Sequence, residues 1–213
     1  MNSSASKWVR LADELGPAVA SRTARHDADD SFVKESFDEL KKHGVFAAAV
    51  PAELGGGGAT HRELCDMLRR LAHHCSSTAL ALSMHTHLVA TNAFRWKRDP
   101  VPFEKLLRRV AAEGLVLVSS GGSDWLPGSG RAQRVDGGYR VSARKVYASG
   151  SPAGDLLSTC AIDEATGEVI HFGVPLGNDA VRIKDTWRAH GMRGTGSNDV
   201  EIEDFFVLSL IHI

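Results

Sequence analysis

The side chains best suited to chemistry gather between Ser119 and Ser149. Ser119-Ser120-Gly121-Gly122-Ser123-Asp124 is a small-residue turn, reached from the apolar run Leu115-Val116-Leu117-Val118. Glycines remove side-chain bulk there, and successive N–H groups with serine hydroxyls could cradle an anion or the polar edge of a ring. The same residues also suit a plain tight loop at a strand exit. Histidine is the second candidate, with His85 and His87 two apart and His73-His74 beside Cys75. Positions two apart point to different sides of a helix, so neither set shares an ion and no metal site is expected. Singly, His85 or His87 is either a packed, hydrogen-bonded residue or a proton carrier facing a ligand.

Other site chemistries lack their residues. There is no GxSxG nucleophile elbow and no GxGxxG opening a helix, and no Lys-Ser/Thr follows Gly55-Gly56-Gly57-Gly58 to make a P-loop. That glycine run reads as a flexible connection between helices. Cys65, Cys75 and Cys160 are an odd set without CxxC spacing. They read as free thiols in a reducing compartment, and a cytoplasmic location is expected. With 43% hydrophobic and 24% charged residues and a net charge of -1, the chain is of ordinary globular composition and lacks the basic field that nucleic-acid phosphates require. No apolar run nears the roughly 20 residues of a membrane-spanning helix, and MNSSASKWVRLADEL has no apolar signal core.

Two textures must position these residues. Helical periodicity runs through Trp8, Leu11, Leu15 and Val19, with Pro17 marking a kink or a restart. A second helix, starting near Ser31, carries Phe32, Val33, Phe37 and Leu40 and stops at Gly44. Thr60 with Glu63 forms a capping box for a third, Ser76-Ser77-Thr78 caps a buried fourth, and Pro102 opens a fifth. Beyond Gly114 the pattern alternates. Gly137-Gly138 joins candidate strands 131–136 and 139–143, Glu164-Ala165-Thr166-Gly167 joins 155–162 and 168–174, and 181–187 and 200–207 follow. The fold class expected is α+β: an N-terminal α-helical bundle over 1–114, then a small antiparallel β-barrel or sandwich over 115–213. The apolar end from Phe205 to Ile213 carries no polar tail, which suggests a further domain beyond it.

The order of four segments resembles the acyl-CoA dehydrogenase superfamily. HGVFAAAVPAELGGGGAT is similar to that family's passage after its second helix, and SSTALALSMHTHLVA to its buried helix. GGSD followed by GGYRVSARKVYASG resembles its flavin strand pair, and HGMRGTGSNDVEIEDFFV its next strand. The resemblance implies FAD and a C-terminal four-helix domain that carries the catalytic base, before which this chain ends. It places Ser119 and Ser149 against the flavin ring, Ser149 at N5, and Tyr147 packed on the isoalloxazine. Gly122 and Ser123 fall near the pyrophosphate, Ser123 also near the substrate's acyl carrier. Arg193 reads as a loop-stabilising residue. The implied reaction is α,β-dehydrogenation of an acyl-CoA with hydride transfer to flavin N5, in a homodimer or homotetramer. Two departures, a shortened approach to GGSD and KVYASG for the usual tryptophan-bearing strand, keep open a flavin-dependent monooxygenase of the same superfamily, with His85 or His87 as its proton carrier. An inactive fragment is the third reading.

Overall fold

A computed structural model describes residues 6–125 and 127–208, without the side chain of Ser123. Residues 209–213 of the apolar end therefore lie outside the described residues. The chain forms two compact units: one runs through Val116 and includes Arg188–Gly196, and the other comprises Leu117–Trp187 and the chain from Ser197. As the sequence predicts, the first is helical and the second is built of strands.

The helices are α1 (Lys7–Asp29), α2 (Lys34–Lys42), α3 (His61–His74), α4 (Ser76–Trp96) and α5 (Glu104–Glu113). Pro17 neither ends nor restarts α1, which runs through it from an Ser6 cap. The helix α2 begins later than expected, after Val33, with no side-chain cap, and Gly44 follows it at φ 69° in the left-handed region that stops helices. The Thr60–Glu63 capping box forms in full. At α4 the serines and threonine do not cap; the Cys75 sulfur accepts the Thr78 N–H at 3.4 Å instead. Phe37 and Phe46 pack ring to ring in the core of this unit, with Leu40, Met67, Leu71 and Leu82 also fully buried.

The glycine run is a packed corner. The N–H groups of Gly56, Gly57, Gly58 and Ala59 go to the carbonyls of Pro51, Ala47, Val50 and Ala48 at 2.9–3.1 Å, so none of these four amides is left to meet an anion. A Cβ on Gly57 would stand 2.2 Å from Trp8 Cζ2 and 2.9 Å from the Ala48 Cα. The indole of Trp8 therefore packs on bare backbone. Gly57→Ala is expected to destabilise by about 1–3 kcal/mol through overpacking, read as a lowered urea midpoint; an unchanged midpoint would contradict this packing.

The strands are β1 (Leu117–Ser119), β2 (Arg131–Val135), β3 (Gly138–Ala148), β4 (Leu156–Asp163), β5 (Val169–Pro175), β6 (Val181–Ile183) and β7 (Asn198–Leu208). They make one seven-stranded sheet in the order β1-β4-β2-β3-β7-β6, with β5 also on β4. Both expected hairpins form, β2–β3 and β4–β5. Two pairings differ from the antiparallel expectation, because β1 and β2 each run parallel to β4. These two share one edge: Ser119 pairs with Ser158, and Arg131 with Ile162. The chain between them leaves that edge and rejoins it a short step further along. The strand expected over 181–187 ends at Ile183, while β3 runs on to Ala148, past the expected end at Ala143.

Candidate functional site

The turn after β1 is held from beneath by a buried ion pair. Gly122–Asp124 is a single 3₁₀ turn that swings the Asp124 carboxylate inward. Lys145, on β3 and 0% exposed, donates to both Asp124 oxygens at 3.1 and 2.8 Å and to the Ser129 carbonyl and hydroxyl at 2.8 and 2.9 Å. Ser120 donates its hydroxyl to the same carboxylate at 2.7 Å and lies 3.0 Å from the Thr159 hydroxyl. One carboxylate thus pins both ends of the turn. Burial pushes the Asp124 carboxyl upward, but the hydrogen bonds from Lys145, Ser129 and Ser120 and the ammonium charge outweigh it, so the carboxyl sits below its ordinary range. Below it the Cys160 thiol donates to the Asp124 carbonyl at 3.0 Å, and burial pushes that thiol up, an inert rather than a reactive setting. Trp125 closes the turn, stacked on His171 with ring centroids 5.0 Å apart.

Ser119 is buried at the end of β1. Gly121 donates its N–H to the Val146 carbonyl at 3.0 Å, which ties the turn to β3 near Tyr147. Gly122 is exposed, and a Cβ there would meet nothing within 4 Å, so no packing of the described residues requires glycine at this position. The side chain of Ser123 lies outside the described residues.

Next to this turn β3 breaks register between Lys145 and Ala148, and Tyr147 takes a left-handed φ of 60°. For a non-glycine residue that conformation costs about 1–2 kcal/mol, and bulges of this kind re-aim a side chain. The ring it aims is 59% exposed. Trp187 meets it edge to face at 6.1 Å. Trp187 is placed by Asn198, whose side-chain oxygen accepts the N–H groups of Thr186 and Trp187 at 3.1 and 2.9 Å. Ser149, two residues past Tyr147, lies 2.8 Å from the Ser197 hydroxyl. An exposed aromatic, a neighbouring indole, a hydroxyl pair and an open glycine fit a planar ring with polar edges and an anionic tail. Sequence reasoning carried Asp124 and Lys145 inside its motifs without giving either a role, and it singled out neither Trp187, Ser197 nor Asn198. The Asn198 side chain is spent on the N–H groups of Thr186 and Trp187, a contact that no local pattern announces.

The two candidate histidines belong to the helical unit. His85 is 1% exposed; its Nε2–H donates to the Phe46 carbonyl at 2.7 Å and its ring meets the Phe46 ring at 4.9 Å. His87 is exposed, with Nδ1–H on the Ser83 carbonyl at 3.2 Å. In the same unit Arg193 bonds the Asp27 carbonyl and pairs with Asp30 at 3.0 Å, tying its segment to the end of α1.

Comparison with known proteins gives this fold a lineage. The model of the acyl-CoA dehydrogenase N-terminal domain matches residues 11–99. An amino sugar nitrososynthase of Streptomyces rubradiris is 30% identical over 92% of this chain and 48% of its own length, and a pigment production hydroxylase of Rhodococcus sp. is 29% identical over 91% and 48%. The solved structure of KijD3 in complex with FMN and a dTDP-linked amino-keto sugar superposes with a TM-score of 0.85 at 28% identity, covering 98% of this chain and 54% of that one. The chain spans about half the length of the curated relatives it matches. Among the described residues no helix is long and apolar enough to cross a membrane. By its helical domain, its sheet and these relatives, the chain belongs to the acyl-CoA dehydrogenase superfamily.

Proposed function

We propose that this chain is the helical and β portion of a flavin-dependent monooxygenase that uses FMN to oxygenate a small molecule. The observation that carries the reading is the likeness, along 98% of the chain, to a protein solved with FMN and a nucleotide-linked amino sugar. Relatives named as a nitrososynthase and a hydroxylase support it further. FMN replaces the FAD implied by the sequence resemblance, and a small polar substrate replaces acyl-CoA. When bound, reduced flavin supplies the electrons and the site of oxygen activation.

The protein's own residues bind and orient. Tyr147 and Trp187 would give the ring an aromatic wall, Ser149 would offer its polar edge a hydroxyl, and the Ser119–Asp124 turn would hold the phosphate end. The Asp124–Lys145 pair neutralises itself, so the turn meets the phosphate through backbone and hydroxyl groups instead of a free cation. His85, committed to the core, leaves His87 as the histidine available for proton transfer.

Fluorescence titration of the full chain with FMN and FAD tests the flavin assignment, and Tyr147→Ala should weaken FMN binding about threefold to tenfold. Anaerobic addition of an acyl-CoA should leave bound flavin yellow, whereas reduced flavin and O₂ should support oxygen uptake with an amino- or hydroxyl-bearing substrate. Bleaching by the acyl-CoA would return the chain to the dehydrogenases. Failure to bind either flavin would favour an inactive fragment.

A further inference from the structure

In the helical unit, the corner between α4 and α5 carries an unbalanced charge. From Phe94 to Arg109 the sequence has six lysines and arginines against two carboxylates, in a chain whose net charge is -1. Glu104 is spent inside the corner, accepting the Trp96 indole N–H at 3.3 Å and pairing with Arg108 at 2.8 Å. Arg109 pairs with Glu113 at 2.9 Å. Arg95, Lys97, Arg98 and Lys105 are exposed and enter no ion pair among the described residues, which leaves four cations against Asp99.

Apolar groups stand among these charges. Val101 is 87% exposed in the connection between the helices, and Phe94 is 57% exposed on the last turn of α4. The Arg98 guanidinium lies over the Phe94 ring, 4.5 Å from its centroid, so the phenyl carries a cation on one face. The amide donors of the connection are largely spent. Arg98 and Asp99 both donate their N–H to the Arg95 carbonyl at 2.9 Å, and Phe103 and Glu104 donate to the Pro100 carbonyl at 3.2 and 3.0 Å. Pro100 and Pro102, on either side of Val101, have no N–H to donate. Such a tip can leave water with little loss of amide solvation.

We propose that the α4–α5 corner is a docking surface for an anionic lipid bilayer. Val101 and Phe94 enter the interfacial layer, and Arg95, Lys97, Arg98 and Lys105 meet lipid phosphates. Charge complementarity selects an acidic partner, and the tip selects lipid among acidic partners. An acidic polypeptide would gain from free amide donors at the corner, which this backbone has spent on itself. A lipid surface gains from their absence and from the exposed apolar side chains. The inference is independent of the flavin reading, since all of its residues lie in the helical unit and none belongs to the proposed ring or phosphate sites.

Cosedimentation of the full chain with phosphatidylcholine vesicles, with and without phosphatidylglycerol, tests the proposal, and immobilised polyglutamate serves as the competing acidic polypeptide. The chain should pellet with the phosphatidylglycerol vesicles at low salt and be released as salt screens the charges. With phosphatidylcholine alone it should stay in solution. Lys105→Gln should weaken vesicle binding about fivefold, the worth of one cation near such a surface. Val101→Ser leaves every charge in place and should weaken binding about threefold to tenfold. Arg131→Gln removes an exposed cation of the β unit and should leave binding unchanged. Thermal midpoints of the three variants, all at exposed positions, control for folding. No pelleting with phosphatidylglycerol vesicles, equal binding to phosphatidylcholine, full binding by Val101→Ser, or equal losses in Lys105→Gln and Arg131→Gln would overturn the proposal. Retention on polyglutamate without affinity for either vesicle would overturn it in favour of an acidic protein partner.

Discussion

Lys145→Met should lower folding stability by roughly 3–5 kcal/mol, among the largest effects of any single substitution in the β unit. The substitution fits the space but strands the Asp124 carboxylate, which is buried against Lys145, Ser120 and Thr159. A buried ion pair stabilises little relative to an apolar pair of similar volume, yet half of one is costly. The double variant Asp124→Leu/Lys145→Met should therefore recover most of the loss in a urea titration. A double variant as unstable as the single would show that the turn depends on the charges themselves.

The same pair sets an acid dependence. Asp124 has its folded-state carboxyl below the ordinary value of 3.8, so its contribution is fully present above the unfolded-state pKa. That contribution is lost as pH falls through the lower folded value. Acid unfolding below about pH 4 should be shallower in the double variant than in the wild type. A single Asp124→Asn substitution keeps the side-chain shape but replaces one accepting oxygen with a donating NH2 that faces other donors, and it leaves the Lys145 ammonium without a countercharge.

The second large effect is at His85. Its ring fills core space beside Phe46, and its N–H satisfies the Phe46 carbonyl. His85→Ala opens a cavity and orphans that carbonyl, for an expected loss of about 2–4 kcal/mol. A proton carrier would behave in the opposite way, with activity lost at an unchanged unfolding midpoint. Measuring the midpoint on His85→Ala and His87→Ala separates the two histidines: it should fall for the first and hold for the second, and under the oxygenase proposal oxygen uptake should fall for the second.

Local rules made much of this architecture legible. The Thr60–Glu63 box, the Gly44 stop and the two hairpin turns each need only neighbours within a few residues. What stayed hidden depends on distant partners. Lys145 sits in a stretch that reads as a half-exposed strand, and nothing near it reveals a carboxylate brought from Asp124 by the sheet. Glycines at 55–58 have the composition of a flexible connector; the carbonyls and the indole that consume them come from 47–52 and from Trp8. Cys75 was invisible as a cap because sulfur is a weak acceptor that cap preferences pass over. Trp187 reads as strand, and only the Asn198 side chain turns it into a loop residue beside Tyr147. Of the candidate site, the sequence motifs yield Ser119–Asp124, Tyr147 and Ser149; Trp187, Ser197 and Asn198, distant along the chain, join them only in the folded β unit.

One consequence follows from the way β1 and β2 divide a single edge of β4. The segment from Ser120 to Gly130 begins and ends on that edge, with Ser119 opposite Ser158 and Arg131 opposite Ile162. Its two anchor points are set by the register of β4 and do not depend on the length or composition of what lies between them. The middle of the segment can be lengthened, shortened or exchanged while the strand order persists, provided that Ser120, Asp124 and Ser129 keep their places around Lys145. A descendant of this sequence could acquire a new ligand preference by rewriting that span alone, so the β4 edge is a natural seam for grafting and for evolutionary divergence.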